Sequence, residues 1–119
     1  MTEEKKQKLK NRMAELHQKY CDQLPNKYHE IQDGWDQYQS DFSNPDYAET
    51  FYRLIHTFKG TAATFGFVTQ ADICFEIQKV LLKAKEEESI LNKKSVTQIE
   101  KLLADFKTNI SSPAKGFPN

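Results

Sequence analysis

The chain has 119 residues, with seventeen Lys and Arg balanced by seventeen Asp and Glu. That length suits one domain with one core, and the zero net charge lacks the cationic excess that nucleic-acid binding draws on. No apolar run approaches the roughly 18 residues of a membrane span, and the charged start TEEKKQKLKNR has no apolar segment behind it, unlike a secretory signal. A cytoplasmic protein with neither nucleic acid nor membrane as partner is expected. Cys21 and Cys74 are too few for a disulfide framework and read as small apolar fillers.

Glycine and proline are scarce, four of each, and Glu, Lys, Gln, Leu and Ala dominate long stretches. That composition favours helices throughout. The first predicted helix covers about Thr2 to Asp22, opening on Glu3 and Glu4, acids suited to a helix N-terminus. Leu9, Met13, Leu16 and Tyr20 keep helical spacing, but the first turns are nearly all polar. This segment either packs outside the domain or meets a partner.

Pro25 fits the first turn of a second helix. Leu24, Tyr28, Ile31, Trp35, Tyr38 and Phe42 follow at 4-3-4-3-4 spacing, an aromatic-rich core stripe. The period runs straight through Asp33-Gly34, so Gly34 reads as a close-packing or slightly bent position rather than a hairpin turn. Ser43-Asn44-Pro45-Asp46 is a turn cluster, with Pro45 at the start of a central helix that reaches Phe65 and ends at Gly66, a C′ glycine. A fourth helix starts near Thr69 as N-cap, with Ile73 or Cys74, Ile77, Val80 or Leu81, and Ala84 inward. A fifth follows Asn92, with Ser95 as cap and Gln98 completing a capping box, and its stripe is Val96, Ile99, Leu103, Phe106 and Ile110.

Four strong stripes with short connections and no strand alternation predict an all-α fold, an antiparallel four-helix bundle with an additional N-terminal helix. The expected organisation is an N-terminal helix over 1–23, the bundle over 24–111 and a flexible tail over 112–119.

The three histidines do not form a metal site. A di-metal carboxylate bundle needs Glu three residues before histidine, and Ala14, Asn26 and Arg53 stand there instead; HExxH, G-x-S-x-G and P-loop patterns are missing too. His17 and His29 read as solvated surface histidines. His56 differs. Phe51, Ile55, Phe58, Ala62 and Phe65 form the buried stripe of the central helix, and His56 lies one position off it. Lys59 and Gly60 follow at i+3 and i+4 on the same surface. A glycine within a helix costs about 1 kcal/mol relative to alanine, and packing gives no reason to accept that beside an exposed histidine.

The strip around His56 holds Tyr52, Arg53, Lys59, Gly60, Ala63 and Thr64. Lys59 and Arg53 supply positive charge within a turn, and Gly60 and Ala63 remove bulk, so another backbone could approach closely. Such surroundings favour a phosphorylated imidazole, whose anionic oxygens gain from Lys59 and whose in-line transfer needs open space. Phe75, Gln78 and Leu82, with Ala71, make a second stripe on the next helix, a docking patch if it is partly exposed near His56.

His56-x-x-Lys59-Gly60, with Ala62, Ala63 and Gly66 beyond it, resembles the signature of the histidine-containing phosphotransfer domain of bacterial multistep phosphorelays. The match is tight from Phe51 to Leu82, and the helix layout agrees from Pro25 to Ile110. Phe58 and Phe65 are bulkier than the aliphatic residues usual there. The resemblance implies that His56 takes phosphate on Nε2 and passes it to or from the aspartate of a receiver domain. Lys59 would support the phosphate, Gly60 would leave room for the receiver, and Gln78 matches a polar position near the imidazole. Tyr52, Arg53, Ala63, Thr64, Phe75 and Leu82 would form the docking face.

The resemblance further implies a phosphoryl carrier without kinase activity. It would have no cofactor or metal of its own, the receiver supplying Mg²⁺, and would carry phosphate between hybrid kinases and response regulators. A monomer is expected, and the lack of another domain reads as a free-standing shuttle, with a fragment of a larger sensor as the alternative. The rival reading is an unphosphorylated helical module that sequesters a receiver or another signalling partner. An intact His-x-x-Lys-Gly argues against it, because binding alone has no need of the imidazole.

Overall fold

The computed structural model describes residues 2–110. Four helices account for nearly all of them: α1 (Glu3–Ser40), α2 (Pro45–Thr64), α3 (Val68–Glu86) and α4 (Lys93–Asn109). The connections, residues 41–44, 65–67 and 87–92, are short enough to turn each helix back on the one before it. Side-chain pairs show the antiparallel order directly. Trp35 meets Phe51 and Tyr20 meets Phe65 across α1 and α2; Tyr52 meets Gln78 and Lys59 meets Phe75 across α2 and α3; Tyr28 stacks on Phe106 and Gln39 bonds Glu100 across α1 and α4. The expected all-α four-helix bundle is borne out.

The core is aromatic. Leu24, Ile31, Trp35, Phe51, Ile55, Phe67, Ile77, Ile99 and Phe106 are all at most 2% exposed. Trp35 packs with Tyr38, Phe42 and Phe51 near one end, and Tyr20 with Phe58, Phe65 and Phe67 near the other. Gly34 sits where α1 crosses α2: a Cβ there would lie 2.6 Å from Leu54 Cδ1 and 3.6 Å from Phe51 Cδ1. Close packing, as expected, is its reason.

The N-terminal segment corrects the sequence reading. The expected separate helix over 1–23 and the helix beginning at Pro25 are one helix of 38 residues, so the expected boundary falls inside α1. At about 1.5 Å per residue such a helix is as long as the molecule's 56 Å longest dimension. An interior proline costs about 3 kcal/mol. Here Pro25 is on the exposed face, and buried Tyr20 and Leu24 before it and Ile31 after it anchor both halves to one core. Toward its start, α1 runs past the bundle with Leu9 and Met13 exposed.

Helix ends follow local chemistry. Thr2 caps α1 by accepting from the Lys5 N–H. Asn44 caps α2, its Oδ1 accepting from the N–H groups of Asp46 and Tyr47, with Pro45 in the first turn. The end of α2 is a Schellman turn: Gly66, at φ 79°, donates to Ala63 O, and Phe67 donates to Ala62 O. Two expected caps are corrected. α3 begins at Val68 with Phe67 as N-cap and no side-chain cap bond, rather than at Thr69. α4 begins at Lys93 with Asn92 as cap, whose Oδ1 accepts from the Ser95 N–H. Asn92 precedes the first helical residue and takes the bond first, leaving Ser95 inside the helix. The expected tail, 112–119, lies outside the described residues.

Candidate functional site

Helix α2 presents two faces, as its spacing requires. Phe51, Ile55, Phe58 and Ala62 are buried, while His56, Gly60, Ala63 and Thr64 are exposed. On the exposed side, Tyr52 lies one turn before His56, and Lys59 and Gly60 one turn after it. Among the described residues, neither ring nitrogen of His56 has a hydrogen-bond partner, and its one ring contact is with Tyr52. The two rings lie 5.9 Å apart between centroids and are nearly parallel, at 8°.

Gly60 opens onto empty space. A Cβ built there would meet nothing within 4 Å, in contrast to Gly34. The protein's own packing therefore gives no reason for this glycine, and the surface one turn from the imidazole is kept low. Thr64 turns its hydroxyl inward to donate to Gly60 O at 2.9 Å, and Thr61 does likewise to Thr57 O. These back-bonds hold the threonines against the helix.

Lys59 reaches across to α3, its Nζ 5.5 Å from the centroid of the Phe75 ring, while Lys79 places its own Nζ 5.1 Å from the same centroid. Phe75 is 48% exposed despite being a large aromatic. It is thus a surface ring flanked by two cations beside the histidine. Burial pushes the Cys74 thiol up to about 12, against a smaller opposing effect of the Lys59 charge. Resting over a ring of α3, the Lys59 ammonium lies along the α2–α3 seam.

Gln78 is buried on α3, and its Nε2 donates to Tyr52 Oη at 2.9 Å. Its carboxamide oxygen has no partner among the described residues. The family pattern suggested an amide near the imidazole; here it touches the tyrosine stacked on that imidazole. Leu82 is half-buried and, with Tyr52 and Leu81, lines a cavity of about 430 Å³. Arg53 contributes less positive charge than its position suggests, since Nη2 pairs with Glu49 Oε1 at 3.0 Å. It faces a larger groove of about 680 Å³ between α1 and α2, whose lining includes none of His56, Lys59, Gly60 and Gln78.

The structure thus joins Tyr52 to Gln78 and Lys59 to Phe75 across the α2–α3 seam. It sets His56 on Tyr52 with Gly60 and Ala63 exposed beyond it on α2, and pairs Arg53 with Glu49. Lys79 was not among the expected residues, although its i+4 spacing from Phe75 was a usable signal. Of the other histidines, His29 is exposed as expected, whereas His17 is not simply solvated. Its ring is half-buried and stacks on Phe67 at 4.6 Å, with Nδ1 3.9 Å from Cys21 Sγ. The helix bearing it packs against the Phe67 turn, which the sequence alone could not place. Among the described residues no three His, Cys, Asp or Glu side chains group as metal ligands, and no helix is long and apolar enough to cross a membrane.

An all-α bundle with an open histidine on its second helix, followed one turn later by a lysine and an uncrowded glycine, is the arrangement that the resemblance to histidine-containing phosphotransfer domains implies. Comparison with protein families agrees: the Hpt domain model matches residues 15–109, and the chain belongs to that family. The match begins within α1, at Glu15, and ends with α4. A search of curated proteins gave no match. Hpt domains act in histidine phosphotransfer within phosphorelays, with receiver domains of response regulators as their general partners.

Proposed function

We propose that His56 is the phosphoaccepting residue, and that this chain relays a phosphoryl group between its Nε2 and the aspartate of a receiver domain. The observation that carries the proposal is the openness of His56, exposed with neither ring nitrogen bonded among the described residues and with clear space over Gly60 one turn away. In the forward step the Nε2 lone pair attacks the phosphorus of a receiver aspartyl phosphate. An N–P bond forms as the P–O bond to the aspartate breaks, and the aspartate leaves as a carboxylate. The ring keeps its proton on Nδ1 and gains positive charge, and the return step reverses each event.

Each neighbouring group has a part in that exchange. Lys59 sits on the seam where phosphoryl oxygens would arrive and offers them a cation. Gly60 and Ala63 give the receiver's loops clearance, and Phe75 offers an apolar anchor for docking. Helix α2, fixed by its buried stripe, holds the ring ready for in-line attack, so that less orientation must be achieved at the moment of transfer. The receiver contributes the acidic pocket and Mg²⁺, and the carrier itself has no kinase activity. Arg53 and Thr64 lie at the margin of the docking face, and Leu82 at its α3 end.

Incubation with a phosphorylated receiver tests the proposal. It predicts acid-labile, base-stable phosphate on this chain and accelerated loss of phosphate from the receiver. Tight receiver binding with no phosphate uptake would instead establish the sequestering module.

A further inference from the structure

We infer that Tyr52 is a positioning residue for the His56 imidazole, locked in place from the core side by Gln78. The inference rests on the phosphotransfer reading above and assigns Tyr52 a role other than partner docking.

An exposed histidine on a helix ordinarily samples several rotamers on the picosecond-to-nanosecond scale. Among the described residues His56 has no hydrogen bond to restrain it; its ring contact is with Tyr52, one turn earlier on the same face, nearly parallel at 5.9 Å. That separation lies within the range in which aromatic pairs attract, about 4.5–7 Å. The tyrosine is itself restrained. It is half-buried, and its hydroxyl accepts from the Gln78 amide at 2.9 Å. Gln78 is 8% exposed and its other amide atom is unsatisfied. A buried amide with an orphan acceptor is costly, and among the described residues this amide bonds to Tyr52 alone. A line of contacts therefore runs from the interior of α3 through Tyr52 to the reacting ring.

Neither Tyr52 nor Gln78 is hydrogen-bonded to an imidazole nitrogen, so the pair orients the ring rather than moving its proton. A second benefit follows when Nε2 is phosphorylated. The ring then carries positive charge while protonated on Nδ1, and a tyrosine face within about 6 Å favours a cation.

Phosphoramidate provides a test without a receiver, and so without docking. The Nε2 lone pair forms the N–P bond as the bond to nitrogen in the donor breaks, ammonia leaves, and the Nδ1 proton stays on the ring. The rate is measured for the wild type, Tyr52→Leu, Tyr52→Phe and Gln78→Leu, together with the NMR order parameter of the His56 ring and the thermal midpoint. Tyr52→Leu is expected to slow phosphorylation by roughly three- to tenfold, the scale of one aromatic pair, and to lower the ring order parameter. Tyr52→Phe, which keeps the ring, recovers most of that loss, and Gln78→Leu falls between the two. A merely structural role would change the thermal midpoint and leave ring order intact. Tyr52→Leu with wild-type rate and ring order, or Tyr52→Phe as slow as Tyr52→Leu, overturns the inference while leaving phosphotransfer standing. A wild type that takes up no phosphate from phosphoramidate or from a phosphorylated receiver overturns both.

Discussion

Lys59 Nζ lies 5.5 Å from the centroid of the Phe75 ring, so a cation one turn after the candidate histidine rests on an exposed aromatic of the next helix. A contact of this kind at a surface contributes about 0.5–1 kcal/mol. Lys59→Ala should therefore lower the melting temperature by no more than a few degrees while slowing phosphotransfer or shortening the phosphohistidine lifetime. Equal lifetimes in mutant and wild type would remove the electrostatic role assigned to Lys59.

The two helical glycines should respond oppositely to a side chain. Gly60→Ala meets open space and should stabilise the fold by about 1 kcal/mol through helix propensity alone. Gly34→Val drives carbon into Leu54 and Phe51 and should destabilise by about 1–3 kcal/mol. Urea denaturation of both variants checks the pair. Gly60→Glu should keep the fold yet impair transfer, by filling the approach and adding negative charge beside an incoming phosphate. Normal transfer by that variant would show that clearance at Gly60 is not needed.

A third prediction concerns the end of α3. Glu88 has φ 51°, donating to Lys85 O while Ser89 donates to Ala84 O, which is the Schellman turn that Gly66 makes at the end of α2. A left-handed residue with a Cβ is strained by about 1–2 kcal/mol, and Glu88 is exposed and makes no ion pair among the described residues. Glu88→Gly should stabilise by about 1 kcal/mol and raise the melting temperature. An unchanged or lowered midpoint would mean that the turn bears no such strain.

Alkaline pH should destabilise the protein. Burial raises the Cys74 thiol from 9.0 to about 12 and also raises the Tyr20 and Tyr38 hydroxyls. For Cys74 the unfolded chain loses its proton near 9 while the folded chain keeps it to about 12. Over that window the unfolded state binds fewer protons, so stability is full below the unfolded value and falls as pH rises. Unfolding midpoints measured between about pH 8 and about pH 11 should decline, and less steeply in Cys74→Ala. An identical slope in that variant would contradict the assignment to Cys74.

Much of this arrangement was legible in the residues. The α2 stripe, the outward position of His56 and the Gly66 stop follow from spacing and glycine chemistry, and each appears in the structure. The continuity of α1 was also within reach. Tyr20 and Leu24 are four apart and join the two predicted stripes into one, but Pro25 fits a first turn, where its missing N–H costs nothing, better than an interior, where its local cost is large. What outweighs that cost is tertiary packing on both sides, which one-dimensional spacing does not weigh. The same holds for His17 on Phe67 and for Gln78 on Tyr52, contacts between residues far apart in the chain. Asn92 took the α4 cap from Ser95 through a difference of three positions that composition could not resolve.

The central claim is most directly tested by locating the phosphate. After exposure to a phosphorylated receiver, phosphorus NMR and peptide mapping under alkaline conditions should find a phosphoryl group on Nε2 of His56, and none on His56→Gln. Phosphate on any other residue, or undiminished label on His56→Gln, would contradict the account.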